Sequence, residues 1–322
     1  MLDDPVLLND WHAVARASEL KEGQVKPARL LGQDLVVWRG QGGVHAWLDL
    51  CIHRGAKLSR GHVAENCLVC PYHAWTYGED GQCTKIPAHP ALVPPAKAHT
   101  TVYHAAEKYD LVWVCLGTPA KDILTFPEWD NPSYRTFSAG PYLFKALGPR
   151  LIENFLDVGH LPIVHAGLLG DAARPEIQDY EVETTAEGVI ARDIPIWQPS
   201  PDGVSGPAIV NYTYQVLRPL TARFTKAQGE QNFAMVDTVT PVSKEESLAW
   251  VILAYNYGFD VPAESILEFQ NAITLQDIPV VESQRPELLP LDMQAELHLR
   301  SDRTAIAYRQ WLKKIGLKYG TS

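Results

Sequence analysis

Four side chains form a repeated pair: Cys51-x-His53, then sixteen residues, then Cys70-x-x-His73. Each pair couples a thiol to an imidazole on a short segment that also carries Gly55 or Pro71. Two turns of this kind can face each other and project their ligands onto one metal group. A two-iron cluster can divide such a set, two thiolates on one iron and two imidazoles on the other. Neutral imidazoles reduce the negative charge and raise the reduction potential. A structural zinc site is the alternative. Cys67-x-x-Cys70 has zinc-knuckle spacing, and Cys51 with His53 completes a Cys₃His set, but that arrangement leaves His73 idle.

A second constellation lies in Glu153-Asn154-Phe155-Leu156-Asp157-Val158-Gly159-His160-Leu161-Pro162-Ile163-Val164-His165. On a helix, Asp157 and His160 fall one turn apart on one face. His165 would turn away from that face, unless Gly159 and Pro162 loosen the backbone and bring both imidazoles to one point. A mononuclear iron site for dioxygen needs two histidines, one carboxylate and open positions. The carboxylate must come from elsewhere. In a helix expected over residues 263–285, Ile266, Ile273, Asp277 and Val281 share a stripe, so Asp277 stands where an apolar residue belongs. A carboxylate there is costly unless paired or bound to a cation. The alternative is that Asp277 caps a helix beginning near Pro279.

These side chains need elements to position them. Residues 11–117 read as β-rich. Leu35–Trp38, Val44–Leu48 and Leu111–Leu116 are runs of strand formers, with Gly40, Gly42 and Gly43 punctuating a turn. Breakers crowd residues 126–132, where a domain boundary is expected. Beyond it, residues 151–166 read as helical with an interruption at Pro162. Ile209–Tyr214 and Trp250–Leu253 read as strands. A last helix covers 302–315, closed by Gly316 after Lys313 and Lys314. Cys67 is expected to be a buried thiol, and Cys83 and Cys115 core cysteines. Trp197, Tyr214, Trp250 and Asn256 are pocket candidates, though aromatic strand positions more often simply pack as core or surface. Gly40-x-Gly42-Gly43 lacks the third glycine and the strand–helix context of a dinucleotide fingerprint.

Composition narrows the function classes. With 28 Lys+Arg against 38 Asp+Glu in 322 residues, the net charge is −10, unsuited to phosphate backbones or anionic membranes. The longest apolar run, Leu248–Tyr255, is eight residues, against about 20 for a membrane span. No secretory signal is visible at the start, and five cysteines without one suggest a reduced cytoplasmic compartment, where clustered cysteines bind metals.

The first motif resembles that of the Rieske [2Fe–2S] domain. Asn154-x-x-Asp157-x-x-His160-x-x-x-x-His165, with Gln276-Asp277-Ile278-Pro279 on a later helix, resembles the catalytic pattern of Rieske non-haem iron oxygenase α-subunits, over roughly residues 8–315. The resemblance implies an α+β protein. An N-terminal all-β Rieske domain (1–125) would precede a helix-grip catalytic domain with an antiparallel sheet (126–322). It implies that Cys51 and Cys70 hold one cluster iron and His53 and His73 the other, and that His160, His165 and Asp277 hold a mononuclear Fe(II). It implies a head-to-tail homotrimer in which Asp157 links His160 to His73 of the partner subunit, with Asn154 an auxiliary polar residue near the iron. A separate NAD(P)H-dependent reductase or ferredoxin would supply electrons, and dioxygen would donate one atom or both to a small organic substrate. The chain's length resembles that of the single-component members such as vanillate O-demethylase, dicamba monooxygenase and pheophorbide a oxygenase. This favours monooxygenation, by hydroxylation or oxidative demethylation, over ring cis-dihydroxylation. Another class stays open: a Rieske electron carrier fused to a ligand-binding domain that lacks catalytic iron.

Overall fold

The computed structural model describes residues 2–201 and 206–322, which divide into two units, Met1–Ile123 and Leu124–Ser322. The first begins with a short helix, α1 (Pro5–Leu8), followed by strands β1 (His12–Arg16), β2 (Val25–Leu30), β3 (Gln33–Gly40), β4 (Gly43–Leu48), β5 (His62–Ala64), β6 (Cys67–Val69), β7 (Thr76–Tyr77), β8 (Cys83–Lys85), β9 (Val102–Lys108) and β10 (Leu111–Cys115). Six strands form an antiparallel sheet in the order β1-β10-β9-β4-β3-β2, and β5-β6-β7-β8 form a smaller sheet. The long run of β-branched and aromatic residues in β3 and the all-buried β10 explain why these strands sit inside. The small sheet carries the Cys/His turns. Its core joins Val36, Trp38 and Trp47 to Leu58, Leu68, Tyr77, Cys51 and Cys70. Cys67 is half-buried, not buried as expected. It starts β6 just after Glu65 and Asn66, a tight turn with both residues at positive φ that leaves Glu65 in solvent. Cys83 and Cys115 do lie in the core.

The second unit runs β11 (Arg135–Phe144), α2 (Gly148–Leu156), α3 (Leu161–Val164), β12 (Glu181–Thr184), β13 (Val189–Gln198), β14 (Ala208–Arg218), β15 (Thr221–Gln228), β16 (Gln231–Pro241), β17 (Ser247–Tyr255), α4 (Ala263–Ser283) and α5 (Arg303–Ile315). Its seven strands make one antiparallel sheet in the order β11-β17-β16-β15-β14-β13-β12. The long helix α4 packs against β11, and α2 packs against β16. This is the antiparallel, helix-gripping architecture expected. Gly316 ends α5 at φ 76°, a left-handed conformation that glycine adopts without strain.

The expected helix over 151–166 is two helices, and the break is not at Pro162. α2 ends at Asp157, whose ψ of 121° is extended, and α3 begins after His160. Pro162 lies in the first turn of α3, where its missing N–H costs nothing. Asp157 and His160 therefore sit in a turn between helices, not on a helix face. The helix carrying Asp277 is continuous through Pro279, so Asp277 caps nothing.

Candidate active site

The two Cys/His turns are built alike. The Cys51 N–H donates to Ala56 O (2.8 Å) and the Gly55 N–H to Cys51 O (2.9 Å); the Cys70 N–H donates to Trp75 O (2.9 Å) and the Ala74 N–H to Cys70 O (3.1 Å). The fifth residue of each turn takes positive φ, 69° at Gly55 and 55° at Ala74. Ala74 holds that conformation at a cost of roughly 1–2 kcal/mol, since it carries a Cβ.

Both turns present a buried cysteine and an exposed histidine. The imidazoles of His53 and His73 lie 4.6 Å apart between ring centres, and Trp75 stacks on His53 at 4.5 Å. Burial pushes the Cys70 thiol up, with Cys51 beside it. Tyr77 Oη stands 3.1 Å from Cys51 Sγ, placed to donate to a thiolate. The donor set therefore has a thiol side in the core and an imidazole side at the surface, which fits a binuclear cluster split by ligand type. It does not fit zinc. A single ion gathers its ligand atoms at one point, and among the described residues no group including Cys51, Cys67 or Cys70 does so.

One group does converge: His160, His165 and Asp277, whose ligand atoms lie within 4.8 Å of one another. Asp277 Oδ1 is 3.1 Å from His165 Nε2 and 3.6 Å from His160 Nε2. Despite these distances, Asp277 Oδ1 is buried without a hydrogen-bond partner, as is His160 Nδ1. The Nε2 atoms of His160 and His165 and Oδ1 of Asp277, gathered at one point, are a donor set of the kind a divalent cation takes. The field there also favours positive charge. Burial lowers the His165 pKa, but the neighbouring Asp277 carboxylate, with Gln276, outweighs it and raises the pKa.

The surroundings orient these groups. Gln276 Oε1 lies 2.8 Å from His165 Nδ1, on the far side of the ring from Asp277. Asp157 Oδ2 lies 3.4 Å from His160 Nδ1, and its Oδ1 accepts from the Gly159 N–H at 2.7 Å. Below them Arg309 donates to both Glu153 oxygens (2.5 and 2.8 Å), and Arg150 and Arg309 share Glu296 (2.8 and 2.5 Å), bracing α2 against α5.

The three converging residues form one wall of a cavity of about 330 Å³. Its floor is the inward face of the sheet, every second residue of β14–β17: Tyr212 and Tyr214, Phe224 and Lys226, Phe233, Met235 and Asp237, Ala249 and Val251. α4 closes it with Ile266, Phe269, Gln270, Ile273 and Thr274, and Asn154 faces it from α2. Of the four pocket candidates, Tyr214 lines it and the others do not. Trp250 is buried and donates to Thr240 Oγ1 (3.1 Å), Trp197 stacks under Arg174, and Asn256 ties to Asn232 and Glu230. The role of Gln276 and the place of Asp237 escaped the sequence reading. Asp237 had a readable signal: an acid alternating with Phe233 and Met235 on one strand face. Burial, then the charge of Asp277, pushes its pKa up to about 7.

The Rieske [2Fe–2S] domain pattern matches residues 10–103, and that of the vanillate O-demethylase oxygenase C-terminal domain matches residues 144–317. Methylxanthine N3-demethylase NdmB of Pseudomonas putida is 29% identical over 98% of this chain and 92% of its own. The structure of Pseudomonas putida NdmA with caffeine superposes with a TM-score of 0.84 at 28% identity, over 96% of this chain and 91% of that one. Dicamba monooxygenase bound to dicamba, at 22% identity and a TM-score of 0.80 over 96% of this chain and 97% of that one, shares the fold. Among the described residues, no helix is long and apolar enough to cross a membrane.

Proposed function

Since this chain belongs to the Rieske non-haem iron oxygenases, with a C-terminal region of the vanillate O-demethylase type, we propose that it is the terminal oxygenase of a system that hydroxylates or demethylates a small cyclic substrate. The observation that carries this reading is the convergence of His160, His165 and Asp277 on the wall of a largely apolar cavity. The family works with a Rieske [2Fe–2S] cluster and a mononuclear iron. The NdmA and NdmB relatives are N-demethylases of methylxanthines, which supports demethylation of a methylated ring as the reaction to test first.

Cys51 and Cys70 would hold one cluster iron by their thiolates, and His53 and His73 the other. His160 and His165 through Nε2, with Asp277 through a carboxylate oxygen, would hold the mononuclear iron and leave positions open. When bound, the cluster supplies electrons singly and the mononuclear iron supplies activation of dioxygen. The overall change is R–H + O₂ + 2e⁻ + 2H⁺ → R–OH + H₂O. On an N- or O-methyl group, the product is a carbinolamine or hemiacetal, which loses formaldehyde.

The chain's own residues do the rest. Gln276 fixes the His165 ring so that Nε2 faces Asp277. Asp157 stands 3.4 Å from His160 Nδ1 and, in a head-to-tail trimer, would reach His73 of the partner subunit and complete a short electron path. Phe224, Phe233, Met235, Ile266 and Ile273 bind the ring of the substrate and exclude water. A separate reductase supplies the electrons; the Oxidoreductase NdmD of Pseudomonas putida, 40% identical over 114 residues, is a relative whose name fits that part.

The test is metal and sulfide content of anaerobically purified protein, with an EPR spectrum after dithionite reduction. About three irons and two sulfides per chain with a Rieske-type signal are expected. Formaldehyde release from N- and O-methylated rings, with a reductase present, then sorts demethylation from hydroxylation. Zinc with no visible absorption would overturn the reading.

A further inference from the structure

Most polar groups around the cavity answer one another. Gln270 donates to Thr274 Oγ1 (3.1 Å), and Gln198 donates to Tyr212 Oη (2.9 Å). Lys226 donates to Pro201 O (2.6 Å) and Gln198 Oε1 (3.3 Å). Asp237 is different. It lines the cavity, yet its Oδ1 is buried with no hydrogen-bond partner. Its cross-strand neighbours are Ala222 and Val251, and Met235 and Val239 flank it on the same face. None of these four side chains has a donor. Lys226 is paired across the strands with Phe233, four residues along from Asp237, which is roughly 13 Å at the rise of a strand.

A carboxylate in such a place is unfavourable for the empty fold, and a donor on a molecule that enters the cavity would relieve it. Resting on the oxygenase reading above, we propose that Asp237 is the substrate-orienting acceptor of this pocket, taking a hydrogen bond from an N–H of a nitrogen-bearing ring substrate. The cavity of about 330 Å³ admits one or two fused rings, and the strand neighbours of Asp237 supply no competing donor. A ring anchored there by its N–H lies against Phe224 and Met235 with a different edge turned to His160, His165 and Asp277. Asp237 thus selects both the substrate class and the atom presented for oxidation. The N–H can belong to a neutral heterocycle or to a cationic amidine. A carboxylate accepts from both, and so does the carbonyl oxygen of the protonated acid that burial favours.

The test is anaerobic calorimetric binding of three probes to the iron-loaded protein: indole, benzofuran (the same shape without the N–H) and benzamidine. Wild type is expected to bind an N–H probe at least about tenfold more tightly than benzofuran, and Asp237→Leu to abolish that preference. Asp237→Asn keeps a neutral acceptor of the same size. Preference retained in Asn identifies a neutral N–H as the partner; preference lost in Asn identifies a cation. Equal binding of all three probes by wild type, or a preference that survives Asp237→Leu, overturns the proposal. Iron is counted in the same samples. Full iron without discrimination sinks this proposal and leaves the oxygenase reading standing, whereas discrimination by protein that takes up no iron does the reverse.

Discussion

Gln276 Oε1 and His165 Nδ1 lie 2.8 Å apart, and the adjacent residue on the same helix, Asp277, reaches the opposite nitrogen of that imidazole at 3.1 Å. An amide oxygen only accepts, so Nδ1 carries the proton and Nε2 keeps its lone pair for a metal. Two successive residues of α4 thereby set the tautomer and the direction of one imidazole.

Gln276→Leu should therefore weaken iron binding by about 10–100-fold, because the ring is free to rotate and both tautomers become accessible. Gln276→Glu should stay within a few-fold of wild type, since a carboxylate also accepts from Nδ1. Competition with a chelator, followed by iron analysis, measures both. Equal affinity of the Leu variant and wild type would show that Gln276 does not orient the ligand.

Asp157 makes a different contribution. It sits in the turn after α2, 3.4 Å from His160 Nδ1, and is exposed enough to reach a neighbour. Asp157→Asn is expected to retain the irons of both centres and to lose most turnover, with cluster reduction by the reductase unchanged. Rapid mixing of reduced protein with dioxygen and substrate isolates the affected step. Turnover at the wild-type rate in this variant would remove Asp157 from the electron path.

Legibility in the sequence follows from distance along the chain. The Cys/His pairs and His160/His165 could be read because the members of each pair lie within five residues of each other. Asp277 could be read because a carboxylate broke an apolar helical stripe. Gln276 could not, since a polar residue beside that stripe is ordinary on a helix. Trp250 and Val251 could not be told apart either. β17 is buried on both faces nearly throughout, which erases the alternation that would assign Val251 to the cavity and Trp250 to the far side. The helix break was placed at Pro162 because proline is a strong breaker, but in a first turn proline is compatible with a helix, and the extended Asp157 with Gly159 makes the break instead.

Arg309 is the keystone of the ion cluster that holds α2, and it is almost wholly buried. Removing one partner of a buried pair leaves the other charged and unsolvated. Arg309→Met should cost about 3–5 kcal/mol in chemical denaturation, while Arg309→Met combined with Glu153→Leu should recover part of that loss. Glu153 precedes Asn154 in α2, so the single variant should also disturb the cavity. A double variant no more stable than the single one would show that packing, not charge pairing, secures α2.

Asp237 gives a prediction of opposite sign. Burial, with the charge of Asp277 second, raises its pKa from 3.8 to about 7 in the fold. Between those values the folded chain keeps a proton that the unfolded chain has lost. Stability falls with rising pH wherever the folded state binds more protons, so this group weakens the fold progressively from about pH 4 to pH 7, with the full penalty above. Asp237→Leu removes the penalty. In iron-free protein, its Tm should exceed that of wild type, by a margin that widens from pH 5 to pH 7 and is level by pH 8. Calorimetric scans of both proteins across that range measure it. A margin that is constant with pH, or that favours wild type at pH 8, would mean that Asp237 is already solvated or paired in the fold and has no unmet demand for a substrate donor to fill.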